Sequence, residues 1–115
     1  MKEPHFLTNR AQYALVYRQG KVWANSLLVM KSMPNGLNLS RYGFSVTKKV
    51  GNAVQRNRLR RLLREVMRLQ SLRPGWDIVF MVRSVAVDTD YHQLERSVNR
   101  LLTQAQLLES NEWVN

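Results

Sequence analysis

The chain has 115 residues, 44% of them hydrophobic, and a formal net charge of +10 from 18 lysines and arginines against 8 acids. That length suits one domain around one modest core, and the apolar content argues against disorder. With no cysteine, disulfides and thiolate metal sites are excluded. No apolar run approaches the roughly 20 residues of a membrane span, and the opening MKEPHFLTNR has no signal-type apolar core. A soluble, cytoplasmic protein is expected, with no membrane partner and no small-molecule substrate. The charge favours a polyanion, nucleic acid first and an anionic membrane surface second.

Taken in chain order, Thr8 or Asn9 caps a first helix running to about Gln19, ended by Gly20. Tyr13, Val16 and Tyr17 fall on one side of it by their i, i+3, i+4 spacing. Val22 to Lys31 reads as a strand, Pro34-Asn35-Gly36 as a turn, and Arg41 to Thr47 as a second strand in which Gly43 interrupts the alternation. These two strands are expected to pair as an antiparallel hairpin; the strand count rises by one if the segment before Gly51 splits. Gly51 breaks the chain. Asn52 then caps a helix, with Gln55 as its capping-box partner, running to about Leu72 before Pro74-Gly75. Trp76 to Val82 is a nearly continuous apolar run, predicted to be a buried strand. Asp88-Thr89-Asp90 caps a last helix through about Leu108, with Leu94, Val98, Leu101, Leu102, Ala105 and Leu108 at helical spacing. The order is helix, strand, strand, helix, strand, helix, an α+β, two-layer α/β sandwich pattern.

The helix after Gly51 is the unusual element. Gly51 to Arg68 holds six arginines and one acid, Glu65. At about 100° per residue, Leu59, Leu62, Leu63 and Val66 form the core face. Asn57, Arg61, Arg64 and Arg68 lie opposite, Arg56 and Arg60 on one flank and Arg58 on the other. A solvated face mixes acids with bases in i, i+4 pairs; this one does not. Guanidinium groups suit bidentate phosphate contacts, so the pattern points to nucleic acid rather than an inert basic surface. Lys48 and Lys49 precede the helix start at Gly51-Asn52, where free N–H groups favour a phosphate; an ordinary strand-to-helix turn explains the same residues.

Tyr13 and Tyr17 admit two readings, core or a stacking platform for unpaired bases. Lys31 and Arg41 are expected to put positive charge along the same sheet surface. A search for chemistry finds no Cys/His metal pattern, no nucleophilic triad and no phosphate-cradling glycine loop. His5 and His92 stand alone, and Asp88 and Asp90 are read as caps. No catalytic residue and no metal ligand is expected in this polypeptide.

Residues 41 to 54, RYGFSVTKKVGNAV, followed by Arg56-Asn57-Arg58, Arg60-Arg61 and Arg64-Glu65, resemble the protein component of bacterial ribonuclease P. The Arg-Asn-Arg segment is that family's signature, and the Tyr13/Tyr17 pair and Gly75-Trp76-Asp77-Ile78-Val79 match more loosely. The resemblance spans about Phe6 to Leu108. It implies a small mixed sheet with three helices and a left-handed βαβ crossover, against the usual right hand. It implies an accessory subunit of an endoribonuclease, a hydrolase that removes the 5′ leader of precursor tRNA, whose catalytic groups belong to a large RNA using Mg2+ held mainly by that RNA. By position, Arg56, Asn57, Arg58, Arg60, Arg61 and Arg64 would face the ribonuclease P RNA. Lys48, Lys49 and Asn52 would lie near the RNA junction, and Tyr13, Tyr17 and Lys31 would line the leader cleft. Phenylalanine is usual where Tyr13 and Tyr17 stand, and His5-Phe6-Leu7 lacks the basic residue often found before the first helix. The resemblance turns the tyrosine pair toward the cleft reading. The alternative is a ribosomal or assembly-type RNA-binding protein with no enzyme partner; a stand-alone nuclease is third.

Overall fold

Asn9 starts helix α1 (Arg10–Gln19) in the computed structural model, which describes residues 5–109. Its side chain accepts the Gln12 N–H while the Gln12 side chain accepts the Asn9 N–H, so the two orphan donors are satisfied reciprocally. Gly20 ends the helix, and its N–H reaches the Val16 carbonyl.

The segment expected as one strand is two: β1 (Lys21–Ala24) and β2 (Leu28–Pro34), paired antiparallel. Asn25 makes the split. Its carboxamide oxygen accepts the N–H groups of Leu27 and Leu28, and its own N–H donates to the Leu28 carbonyl. This Asx turn competes with extension of the strand. The same side chain exchanges hydrogen bonds with Ser97 of the last helix, which ties the hairpin to that helix.

The expected hairpin between β2 and β3 (Arg41–Ser45) does not form. The sheet order is β1-β2-β4-β3, with β4 (Trp76–Val82) antiparallel to β2 and parallel to β3. The reason lies in β4 itself: Asp77, Ile78, Val79, Phe80 and Val82 are buried, and a strand apolar on both faces gains most at the centre of a sheet. The 35–40 connection passes the start of β4, where Gly75, at φ +95°, accepts the Asn35 N–H and donates to the Leu39 carbonyl. The outer edge of β3 is lined by the N-terminal segment, since Leu7 N–H donates to Tyr42 O and Tyr42 N–H to His5 O.

Between the parallel strands β3 and β4 the chain forms α2 (Ala53–Arg68), capped by Asn52 with Gln55 as expected. It ends four residues before Leu72, because Leu72 is drawn into a bridge with Leu108. A short 3-10 turn, Ser84–Ala86, leads to α3 (Tyr91–Gln104), whose cap is Asp90 with Gln93. This helix also stops short of Leu108. Gln106 takes φ +58°, and the N–H groups of Gln106 and Leu107 bond back to Thr103 and Leu102, a Schellman ending.

Three helices and a four-stranded mixed sheet result, the α+β sandwich expected. Ile78, Phe80, Val82, Leu28 and Met30 face α2 and α3, joining Leu59, Leu63, Val66, Leu94, Val98, Leu101 and Leu102 in the main core. Strand alternation turns Val79 to the other face, where it forms a smaller cluster with Val16 and Leu7, flanked by Tyr13, Tyr17, Met33 and Met81. Thus α1 covers part of the sheet face opposite α2 and α3.

Candidate nucleic-acid interface

The core face of α2 consists of Leu59, Leu63, Val66 and Met67, all buried, with Leu62 partly so. Burying that stripe forces the arginines outward, and neighbouring backbone then aims several of them. Arg56 donates to the Gly51 carbonyl at 2.7 Å and Arg58 to the Thr89 carbonyl at 2.8 Å. Arg60 donates to Asn57 Oδ1 at 3.1 Å and to the Val46 carbonyl at 3.2 Å. These tethers use one or two of five guanidinium donors each, so the charge and the other donors still face outward at less entropic cost on binding. Arg61 and Arg64 are exposed, and the Arg64 guanidinium lies 5.8 Å from the Phe6 ring centre. Arg68 is different: it pairs with Glu65 at 2.5 Å, so its charge is partly offset.

Lys48 and Lys49 are exposed in the turn leaving β3, closed by Val50 N–H on the Thr47 carbonyl. The Ser84 hydroxyl donates to the Lys49 carbonyl and fixes this turn to the end of β4. Asn52 already has a structural task as the α2 cap. Gly51 is needed for the same cap, since a Cβ there would stand 2.3 Å from Gln55 Oε1. The close approach this glycine permits is thus to its own helix.

On the other side of β3 lies the tyrosine pair. The rings of Tyr13 and Tyr17 are 6.4 Å apart and tilted by 49°, both partly buried. With Thr8, Asn9, Arg10 and Ala14 they line a shallow groove along α1. Lys31 donates to the Tyr17 carbonyl at 2.8 Å and its ammonium lies 5.9 Å from the Tyr17 ring centre. Burial pushes the Tyr13 hydroxyl above its usual 10.0, opposed by a hydrogen bond with the Phe44 backbone; the charges of Arg60 and Arg64 also reach it. Arg60 donates to the Val46 carbonyl just past β3, and the Tyr13 ring lies against Gly43 within β3, so the groove and the arginine face of α2 flank the same strand.

Arg41 does not add free charge to the sheet surface, as expected of it. It forms a bidentate pair with buried Asp77 at 2.8 and 2.6 Å, and Asn35 donates to the same carboxylate. A buried carboxylate demands such partners, so Arg41 serves the sheet. Asp90 accepts the Gln93 N–H as a cap. Among the described residues no group of three or more His, Cys, Asp or Glu stands together to hold a metal ion.

Two members of this surface escaped the sequence reading. Arg10 shares the groove with Tyr13 and Tyr17, and its i, i+3, i+7 spacing was a signal that pointed to it. Phe6, between the Tyr42 ring at 5.2 Å and Arg64, had no local signal, because strand pairing at the sheet edge places it there.

The family model for Ribonuclease P matches residues 1–106. The chain is 46% identical over 112 residues to the ribonuclease P protein component of Dehalococcoides mccartyi strain CBDB1, covering 97% of this chain and 93% of the relative. It is 44% identical to that of Caldanaerobacter subterraneus subsp. tengcongensis, covering 92% and 93%. Among solved structures, the RNase P protein of Staphylococcus aureus superposes with a TM-score of 0.84 at 28% identity, covering 93% of this chain and 100% of that one. The Thermotoga maritima protein does so with 0.79 at 29%, covering 95% and 100%.

Proposed function

The chain belongs to the ribonuclease P protein family, and on that footing we propose that it is the RNA-binding accessory subunit of a tRNA-processing endoribonuclease. In this reading the outer face of α2, with Arg56, Asn57, Arg58, Arg60, Arg61 and Arg64, docks on the catalytic RNA. Lys48, Lys49 and the α2 start at Asn52 lie at the edge of that contact. The groove along α1, with Tyr13, Tyr17, Lys31 and Arg10, receives the single-stranded 5′ leader of precursor tRNA. Flat rings accept bases of any sequence, and Arg10 and Lys31 offer positive charge to the phosphates beside them. Hydrolysis itself is assigned to the RNA partner and the Mg2+ it holds; this chain binds and orients.

One observation carries the reading: a helix face of tethered arginines, one of them bonded to Val46 just past β3, and an aromatic groove whose Tyr13 ring rests against Gly43 of β3 flank the same strand. One surface can then hold two segments of RNA close together. The test is single-turnover cleavage of precursor tRNA by a bacterial ribonuclease P RNA at low magnesium, with and without the protein. Strong stimulation is expected. RNA binding without stimulation would sink the proposal in favour of an assembly-type RNA-binding protein, and cleavage by the protein alone would sink it in favour of a nuclease.

A further inference from the structure

Gly43 stands in the middle of β3, where glycine weakens a strand. Its backbone gives no reason for glycine, since the positive-φ glycines of the described chain are Gly36 and Gly75. Space gives the reason. A Cβ on Gly43 would lie 2.1 Å from the Tyr13 hydroxyl oxygen, 2.6 Å from Cζ and 2.9 Å from Cε1. These distances are far inside van der Waals contact. Gly43 is buried, and its register partner on β4 is Val79, the residue on which Val16 of α1 packs. The tip of the Tyr13 ring thus rests directly on the β3 backbone, one turn of helix from the main anchor of α1. Tyr17 is placed otherwise: its ring has the Lys31 ammonium beside it, over β2.

We infer that Tyr13 is a positioning residue, and that Gly43 is the seat that receives it. The seated ring sets the distance between α1 and the sheet, and Tyr17 is the ring that meets a leader base. The inference rests on the leader role proposed above for this groove. Gly43 contributes by what it lacks, so a search for charged or aromatic site residues passes over it.

The test uses holoenzyme reconstituted with ribonuclease P RNA and compares its affinity for precursor tRNA carrying a leader with that for the same tRNA without one. The ratio is the leader gain. Gly43→Ala is expected to lower the leader gain about tenfold while affinity for leaderless tRNA stays unchanged, and Tyr17→Leu to lower it about as much, as loss of one stacked base would. Tyr13→Leu alone, which keeps an apolar contact over the seat without the clash, is expected to lose less leader gain than Gly43→Ala. Gly43→Ala with Tyr13→Leu is expected to rise from the Gly43→Ala level to that of Tyr13→Leu alone. A rescue of this kind is a readout that loss of β3 propensity would not produce.

A full leader gain in Gly43→Ala overturns the inference, as does a double variant whose loss is the product of the two single losses. If Gly43→Ala does not fold, the double variant must; a double variant that also fails to fold overturns it. Native holoenzyme without any leader gain would overturn the leader role together with this inference, whereas a native gain untouched by Gly43→Ala overturns this inference alone.

Discussion

Arg58 and Arg61 lie three residues apart on α2, yet they differ in what they already hold. Arg61 is exposed and makes no hydrogen bond among the described residues, whereas Arg58 is bonded to the Thr89 carbonyl. Arg61→Ala should weaken binding to the catalytic RNA and reduce the slope of log K against log salt by about 0.7–0.9, one phosphate contact, with an unchanged melting temperature. Arg58→Ala should do the same and also cost about 1 kcal/mol of stability from the lost tether. Salt titration of RNA binding beside thermal melts checks both; an unchanged slope removes that arginine from the interface. Tyr42 offers a pH test. Burial raises its hydroxyl above the usual 10.0, with Arg64 opposing. The folded state therefore holds the proton longer than the unfolded one. Its contribution is whole below pH 10 and is lost as pH rises through the folded value. Tyr42→Phe should lose less stability than the native chain between neutral and strongly alkaline pH, by urea melts; equal losses would refute this. The arginine positions were legible because they follow from helical periodicity alone. The Arg58 tether and the Arg41–Asp77 pair were not, since their partners lie 31 and 36 residues away in the chain.

At the scale of elements, each helix opens on the same device, a capping box: Asn9 with Gln12, Asn52 with Gln55, and Asp90 with Gln93. Such caps act over four residues, so the Asn52–Gln55 box was readable in full, whereas the sequence left the first cap between Thr8 and Asn9 and the last within Asp88-Thr89-Asp90. Asn52→Ala should destabilise the protein by about 1 kcal/mol and, by fraying the first turn, also lower RNA affinity through Arg56. Asn52→Asp keeps a side-chain oxygen for the cap and adds favourable charge at the helix start. It should therefore retain stability while still weakening RNA binding by repulsion. Denaturant melts and RNA titrations of the two variants separate the cap from the contact; equal stability in Asn52→Ala and the native chain would mean the cap is not what holds this end. The helix ends were less legible. Both α2 and α3 end early because Leu72 and Leu108 bridge to each other, a contact between segments 36 residues apart.

For the whole molecule, a charge of +10 on 115 residues favours the unfolded chain through self-repulsion, and anions that bind the folded form oppose this by mass action. Low-millimolar pyrophosphate should therefore raise the melting temperature of the free protein by several degrees, and by less in Arg61→Ala. The same shift with an equal ionic strength of chloride would mean simple screening. The sequence by itself determined the periodic and the local: the helices and their caps, the apolar β4, and the outward arginines of α2. It also determined the resemblance, carried by the run from Arg41 to Arg64. Only the tertiary structure decided which strands are neighbours, because every strand offers the same backbone donors and acceptors. The choice was made by where two-sided burial is greatest, which put β4 between β2 and β3. That choice laid β3 between the arginine helix and the tyrosine groove. It also brought Tyr13 onto Gly43, 30 residues apart in the chain and touching only because the sheet closes in that order.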